Sequence, residues 1–358
     1  MGWYQEILGG QRTGPAAALV RGFFYAVSIP YGWAVRYRNW RFDTGRATIF
    51  RLPVPVVSVG NLTLGGTGKT PMAAWLARWF QNHGVRVGVI SRGYKAQPSR
   101  RSDEALELQR QVPGLIHVEN PDRVWAGREA VEKFSCQVLV ADDAFQHRRL
   151  ARDLDLVLMD AAMPFGLDHL FPRGFLREPV EGLRRADAVV LSRSDMVDPQ
   201  KRSAIRERVL LLAPRAVWVE AVHVPFDLVN AQGQTLPLEA LAGRSVAAFC
   251  GIGHPAGFLH TLRQCGYQTA AFRELPDHCP YPPRQIAQLA DWVRQLDVAA
   301  VVCTLKDLIK IPHPQLADRP LWAVRIGLQL LEGRSALENL LSRLLPQPQH
   351  GKNGSLES

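Results

Sequence analysis

Residues 56–71, VVSVGNLTLGGTGKTP, decide how the rest of the chain is read. A short β-branched apolar run leads into a glycine-rich turn, and residues 71–80 behind it carry a helical pattern that stops near Gly84. Pro71 falls in the first turn of that helix, where its missing N–H costs little. Strand, glycine turn and helix in this order are the setting in which a G-x-x-x-x-G-K-[ST] phosphate-binding loop (P-loop) works. The strict pattern asks for glycine at position 63, and Thr63 stands there instead. The alternative to a variant P-loop is a glycine turn followed by an accidental Lys-Thr.

A P-loop holds phosphate because successive backbone N–H groups point inward at a helix N-terminus. Gly65, Gly66 and Gly68, with Thr67 among them, permit that tight path. Lys69 would reach the β- and γ-phosphates of ATP, and the Thr70 hydroxyl would ligate Mg²⁺. None of this needs glycine at position 63, which affects only the approach to the loop. A second half-site is expected from an acid at the end of a neighbouring strand. Asp142 and Asp143 follow the apolar run 138–141 and are the candidates, a solvated strand end being the other reading.

Further apolar runs at 85–90, 154–159 and 188–191 are separated by helical patterns, among them 121–134 behind an expected Asn120 cap. The alternation predicts an α/β, P-loop NTPase-like fold, a mainly parallel sheet with helices on both faces and ligands at the strands' carboxyl ends. After about residue 225 the pattern restarts, with a run at 246–250 leading into GIGHP and one at 298–303 leading into TLKD. The expected organisation is an N-terminal helical membrane-surface segment (1–50), a P-loop core (51–225), a smaller α/β domain (226–342) and a disordered tail (343–358).

Five cysteines, Cys136, Cys250, Cys265, Cys279 and Cys303, lie singly with no C-x-x-C pair, which suits reduced, buried thiols. A net charge of +10 favours contact with phosphate, anionic lipid or nucleic acid. Without zinc-finger spacing, an RNA-binding aromatic signature or a polybasic block, nucleic acid is the weakest of the three. Residues 15–35, PAAALVRGFFYAVSIPYGWAV, are interrupted by Arg21 and Pro30, and the unbroken run is shorter than the roughly 20 residues a bilayer requires. No cleavage-site pattern follows to make it a signal peptide. Arg12, Arg21, Arg36, Arg38, Arg41, Arg46 and Arg51, interleaved with aromatics and a single acid, Asp43, fit a membrane surface. A helical hairpin packed on the core with solvated arginines fits equally.

Several stretches together resemble one family, the tetraacyldisaccharide 4'-kinases, or lipid A 4'-kinases. They are GNLTLGGTGKTP (60–71), SRGY (91–94), SDEALEL (102–108), ADDAFQHRRL (141–150), FPRGFLREP (171–179), GIGHP (251–255), LPDH (275–278) and TLKD (304–307), in family order. The resemblance implies transfer of the ATP γ-phosphate to the 4'-hydroxyl of a tetraacylated glucosamine disaccharide 1-phosphate. It also implies a monotopic enzyme on the cytoplasmic face of the inner membrane, with no obligate protein partner evident. On this resemblance Lys69 and Thr70 match the phosphate and Mg²⁺ positions, and Asp142 and Asp143 the acidic strand end. His147 matches the histidine of the D-D-G-F-Q-H element, and Arg177 and Glu178 lie in the L-R-E-P stretch as substrate or supporting residues. Asp103 matches the catalytic acid, with His278 as its partner. Ala144, Ser102 and Leu305 depart from the family pattern, and Ala144 argues against a role that needs a left-handed backbone there.

The rival reading is a P-loop GTPase switch or metallochaperone. Ser192-Arg193-Ser194-Asp195 has a faint likeness to a guanine-reading N-K-x-D element.

Overall fold

The computed structural model describes residues 3–93, 102–277 and 279–346. Two helices, α1 (Trp3–Leu8) and α2 (Pro15–Asp43), come first. The expected strand, loop and helix follow as β1 (Val56–Asn61), the glycine loop and α3 (Lys69–Asn82). Next are β2 (Val87–Ser91), α4 (Asp103–Gln111), β3 (Ile116–Glu119), α5 (Arg123–Phe134), β4 (Val138–Asp142), β5 (Leu154–Asp160), β6 (Ala188–Ser192) and α6 (Pro199–Leu212). The C-terminal half contains β7 (Val217–Val229), β8 (Thr235–Leu236), β9 (Ser245–Cys250), α7 (Pro255–Gln264), β10 (Gln268–Glu274), α8 (Pro283–Arg294) and β11 (Ala300–Thr304). It ends with α9 (Leu305–Leu308), β12 (Gln315–Leu316), β13 (Arg319–Glu332) and α10 (Arg334–Ser342).

One sheet runs through both halves in the order β10-β9-β11-β13-β7-β6-β5-β1-β4-β2-β3. Its pairings are parallel except where β7 and β13 meet, and where the short β8 and β12 add to them. Strands β1, β2, β4 and β6 are buried throughout, as parallel strands covered on both faces must be, and this is why they read as unbroken apolar runs. On α3, Met72, Ala73, Leu76, Ala77 and Phe80 recur at helical spacing and pack on Val57, Val59, Val89 and Val140. Burying Leu76 or Phe80 contributes about 2 kcal/mol each. Register sets Val59 of β1 beside Asp142 of β4, so the glycine loop leaves the sheet next to the paired acids.

The seam expected at residues 225–226 falls inside β7, which is continuous there. Leu328 and Leu330 of β13 and Leu337 and Leu341 of α10 share a core with α3, while separate cores form around β9 and β11. The expected Asn120 cap is corrected: α5 is capped by Asp122, whose Oδ1 accepts from the N–H groups of Val124 and Trp125. Asn120 instead holds the Asp122 N–H, one step earlier. Residues 347–358, most of the expected tail, lie outside the described residues.

The N-terminal stretch is one 29-residue helix, α2, with Pro30 inside it. Its inner side is anchored by Tyr31 Oη, which donates to the Arg177 carbonyl, and by Asn39, which donates to Glu178. Leu19, Phe23, Val27, Trp33, Tyr37 and Trp40 are exposed, and with Pro30 they recur in steps of three and four along the outer side. Among the described residues no helix is long and apolar enough to cross a membrane.

Candidate active site

The P-loop is built without the missing glycine. Thr63 is buried, bridges to Leu176, and is absent from the residues with left-handed backbone, so nothing at this position requires glycine. Asn61 Nδ2 donates to the Thr63 carbonyl at 2.7 Å, and the Leu64 N–H donates to the Phe175 carbonyl at 2.7 Å. Glycine's freedom is used at Gly65 (φ 114°) and Gly68 (φ 89°). At Gly68 a Cβ would also stand 2.9 Å from Nε2 of His223 on β7.

Lys69 begins α3, and its Nζ lies 3.6 Å from Asp143 Oδ1. Arg177 Nη1 holds both oxygens of the same carboxylate at 2.8 and 3.0 Å. Burial works against ionisation of Asp143, but Lys69 and Arg177 outweigh it and hold its pKa below the usual range. Asp142 is the opposite case. The residue is 6% exposed, and burial pushes its pKa up to about 6 although Lys69 pulls the other way. Asp143 has the left-handed backbone here (φ 50°), so the conformation falls one residue before Ala144, which is buried and absent from the left-handed set. Arg123, 4% exposed, faces both acids. Sequence reasoning missed Arg123, because the helix start was expected at an Asn120 cap and nothing local ties Arg123 to the acids.

Asp103 opens α4, one residue after Ser102, whose Oγ caps the helix by accepting from the Ala105 N–H. Its Oδ2 lies 2.8 Å from Lys310 Nζ, which also donates to the Cys279 carbonyl at 3.1 Å. Lys306 Nζ is 3.9 Å from Glu104, and Glu104 is near enough to Asp142 to help raise its pKa. The head of α4 therefore lies between the paired acids and the C-terminal half. Lys310 is a site residue that sequence reasoning missed, because its partner is two hundred positions away. His278 lies outside the described residues.

His147 follows Asp143 in a turn closed by its N–H to the Ala144 carbonyl. Burial, with Arg123 second, lowers its pKa to about 4, and its Nε2 is buried without a hydrogen bond, so the ring is a neutral imidazole. Glu178 is fully buried, and its oxygens are taken by Arg185, Gln146 and Asn39. It ties α2 to the loop behind the acids. The guanine-reading alternative loses its key acid, since Asp195 accepts from Gln264 and pairs with His260, both on α7. All five cysteines are buried and free.

A family model described as tetraacyldisaccharide-1-P 4'-kinase matches residues 20–345. A tetraacyldisaccharide 4'-kinase of Anaeromyxobacter sp. (strain K) is 38% identical, covering 97% of this chain and 96% of its own. That of Geobacter metallireducens is 38% identical over 82% of this chain and 89% of its own. The crystal structure of LpxK from Aquifex aeolicus in complex with ATP superposes with a TM-score of 0.73 at 28% identity, covering 91% of this chain and all of that one. With its P-loop, paired acids and α4 carboxylate assembled at one end of one sheet, the chain belongs to the tetraacyldisaccharide-1-phosphate 4'-kinase family.

Proposed function

We propose that this protein transfers the γ-phosphate of ATP to the 4'-hydroxyl of a tetraacylated glucosamine disaccharide 1-phosphate, at the site formed by the P-loop, Asp142, Asp143 and Asp103. The observation that carries the reading is the placement of Lys69 against Asp143, with Glu104 at the head of α4 close enough to Asp142 to help raise its pKa. The oxygen donors suit Mg²⁺: a carboxylate whose burial holds its pKa near 6, a second carboxylate, and the Thr70 hydroxyl at the start of α3. Held by Asp142, Asp143 and Thr70, Mg²⁺ would supply neutralisation of the charge on the transferring phosphate.

The chain's own residues supply positioning and proton transfer. The P-loop N–H groups and Lys69 hold the triphosphate, and Arg177 orients Asp143. Asp103 accepts the proton of the 4'-hydroxyl as its oxygen bonds to the γ-phosphorus and the bond to the leaving ADP oxygen breaks, with His278 as the partner that tunes it. Lys310 fixes the Asp103 carboxylate until the acceptor arrives. His147 serves the acceptor side as a neutral hydrogen-bonding ring, and Glu178 holds the frame.

The outer side of α2, with its exposed rings and flanking arginines, supports adsorption to an anionic bilayer surface, the cytoplasmic face of the inner membrane, where such an acceptor resides. Residues 51–225 form the kinase core in this reading and 226–342 a smaller lobe that shares its sheet. The test is ADP release from ATP with and without acceptor in detergent micelles. Acceptor-dependent release supports the proposal, whereas acceptor-independent turnover that prefers GTP supports the switch.

A further inference from the structure

The P-loop is gripped from behind by the end of β6. Ser192 Oγ donates to the Thr67 carbonyl at 2.8 Å, and Arg193 Nη2 donates to the Gly66 carbonyl at 2.8 Å. Two consecutive loop carbonyls are therefore pinned outward. In a trans peptide the C=O and N–H of one plane point in opposite directions. Holding these two oxygens thus turns the N–H groups of Thr67 and Gly68 to the inner side, where a P-loop binds phosphate.

The gripping residues are themselves fixed. Ser192 is fully buried, and Arg193 Nη1 is bound to Asp160 at the end of β5. His223 of β7 fills the space against Gly68, and Ser192 Cβ lies 3.7 Å from the same point. The ends of β5 and β6 and the middle of β7 converge on two peptide planes. Two residues further on, Asp195 is held by His260 and Gln264 of α7, which joins this assembly to the C-terminal half.

We propose that Ser192 and Arg193 are positioning residues for the nucleotide, a two-point clamp on the Gly66 and Thr67 carbonyls that presets the polyphosphate-binding N–H groups. The inference rests on the P-loop reading and extends it to residues outside the loop's own motif. Its target is the polyphosphate, neither the base nor the acceptor. Asp160 acts one step further out, by holding Arg193.

The test is calorimetric titration of Mg²⁺-ADP into the wild type, Ser192→Ala, Arg193→Gln, Arg193→Lys and Asp160→Asn. The KM for acceptor and urea denaturation are measured on the same preparations. Arg193→Gln should weaken ADP binding about tenfold, as loss of a charged donor does, and Ser192→Ala several-fold. Arg193→Lys should fall between wild type and Arg193→Gln. Asp160→Asn should also weaken ADP binding, with acceptor KM unchanged in all four. Unchanged ADP affinity in Arg193→Gln would overturn the clamp, as would equal losses for ADP and acceptor. If Arg193→Gln does not fold, Ser192→Ala and Asp160→Asn carry the same decision. Failure of the wild type to bind ADP would overturn the P-loop reading and the clamp together. ADP binding that responds to these variants, without any acceptor phosphorylation, would overturn only the kinase reading.

Discussion

Replacing Asp142 by asparagine should make the nucleotide-free protein more stable at pH 8 while abolishing phosphoryl transfer. Burial raises the Asp142 pKa from 3.8 to about 6, so the folded protein disfavours the ionised carboxylate. The favourable contribution of this group is fully present below its unfolded pKa and is lost as pH rises through about 6. At pH 8 the ionised group then costs roughly 3 kcal/mol, from 1.36 kcal/mol per pK interval. Asparagine keeps the oxygen that accepts from the Asp143 N–H at 3.0 Å and carries no charge. Urea denaturation of the two proteins from pH 4.5 to 8 tests this directly. The difference in unfolding free energy should grow from about 1 kcal/mol at pH 4.5 to roughly 3 kcal/mol in favour of the variant at pH 8. Mg²⁺ and ADP should narrow that gap by binding the wild type more tightly. A variant no more stable at pH 8, or a difference that does not change with pH, would refute the reasoning.

Lys310→Met removes an ion-pair partner of Asp103 and a donor to the Cys279 carbonyl. Turnover should fall about tenfold or more while ADP affinity by calorimetry stays unchanged, and stability should drop by about 1–3 kcal/mol. Burial, with Arg193 second, lowers the His223 pKa to about 3, so its stabilising contribution is present above pH 6.5 and lost as pH falls toward that value. His223→Gln should therefore flatten the acid side of the stability profile, sparing roughly 3 kcal/mol of the loss between pH 7 and 4.5 in urea titrations. Phe23 and Trp33 are 65% and 70% exposed on α2, and Phe23→Ser with Trp33→Ser should reduce sedimentation with phosphatidylglycerol vesicles about tenfold or more without changing ADP affinity.

The P-loop and the paired acids were legible because their signals are local. Gly65, Gly66 and Gly68 sit between an apolar strand and a helix, and Asp142 ends a run buried on both faces. Thr63 was harmless for a reason only the fold supplies, its buried bridge to Leu176. Strands β7 and β13 were not recognised because they are long, antiparallel and part-exposed. Glu220, His223 and Asp227 in one, and Arg325, Gln329 and Glu332 in the other, break the apolar run. Their pairing makes one sheet of what reads as two successive patterns. Pro30 interrupted the N-terminal stretch on paper, yet it lies on the outer side of a continuous helix. The Lys310–Asp103 and Arg193–Gly66 contacts join residues distant in sequence, and no local pattern announces them.

The most direct measurement of the central claim is transfer of labelled γ-phosphate from ATP to tetraacyldisaccharide 1-phosphate in micelles, with wild type, Lys69→Ala and Asp103→Ala side by side. A 4'-phosphorylated lipid from the wild type, absent with Lys69→Ala and strongly reduced with Asp103→Ala despite retained ADP binding, is the predicted result. Folded wild-type protein that hydrolyses nucleotide and yields no labelled lipid would contradict it.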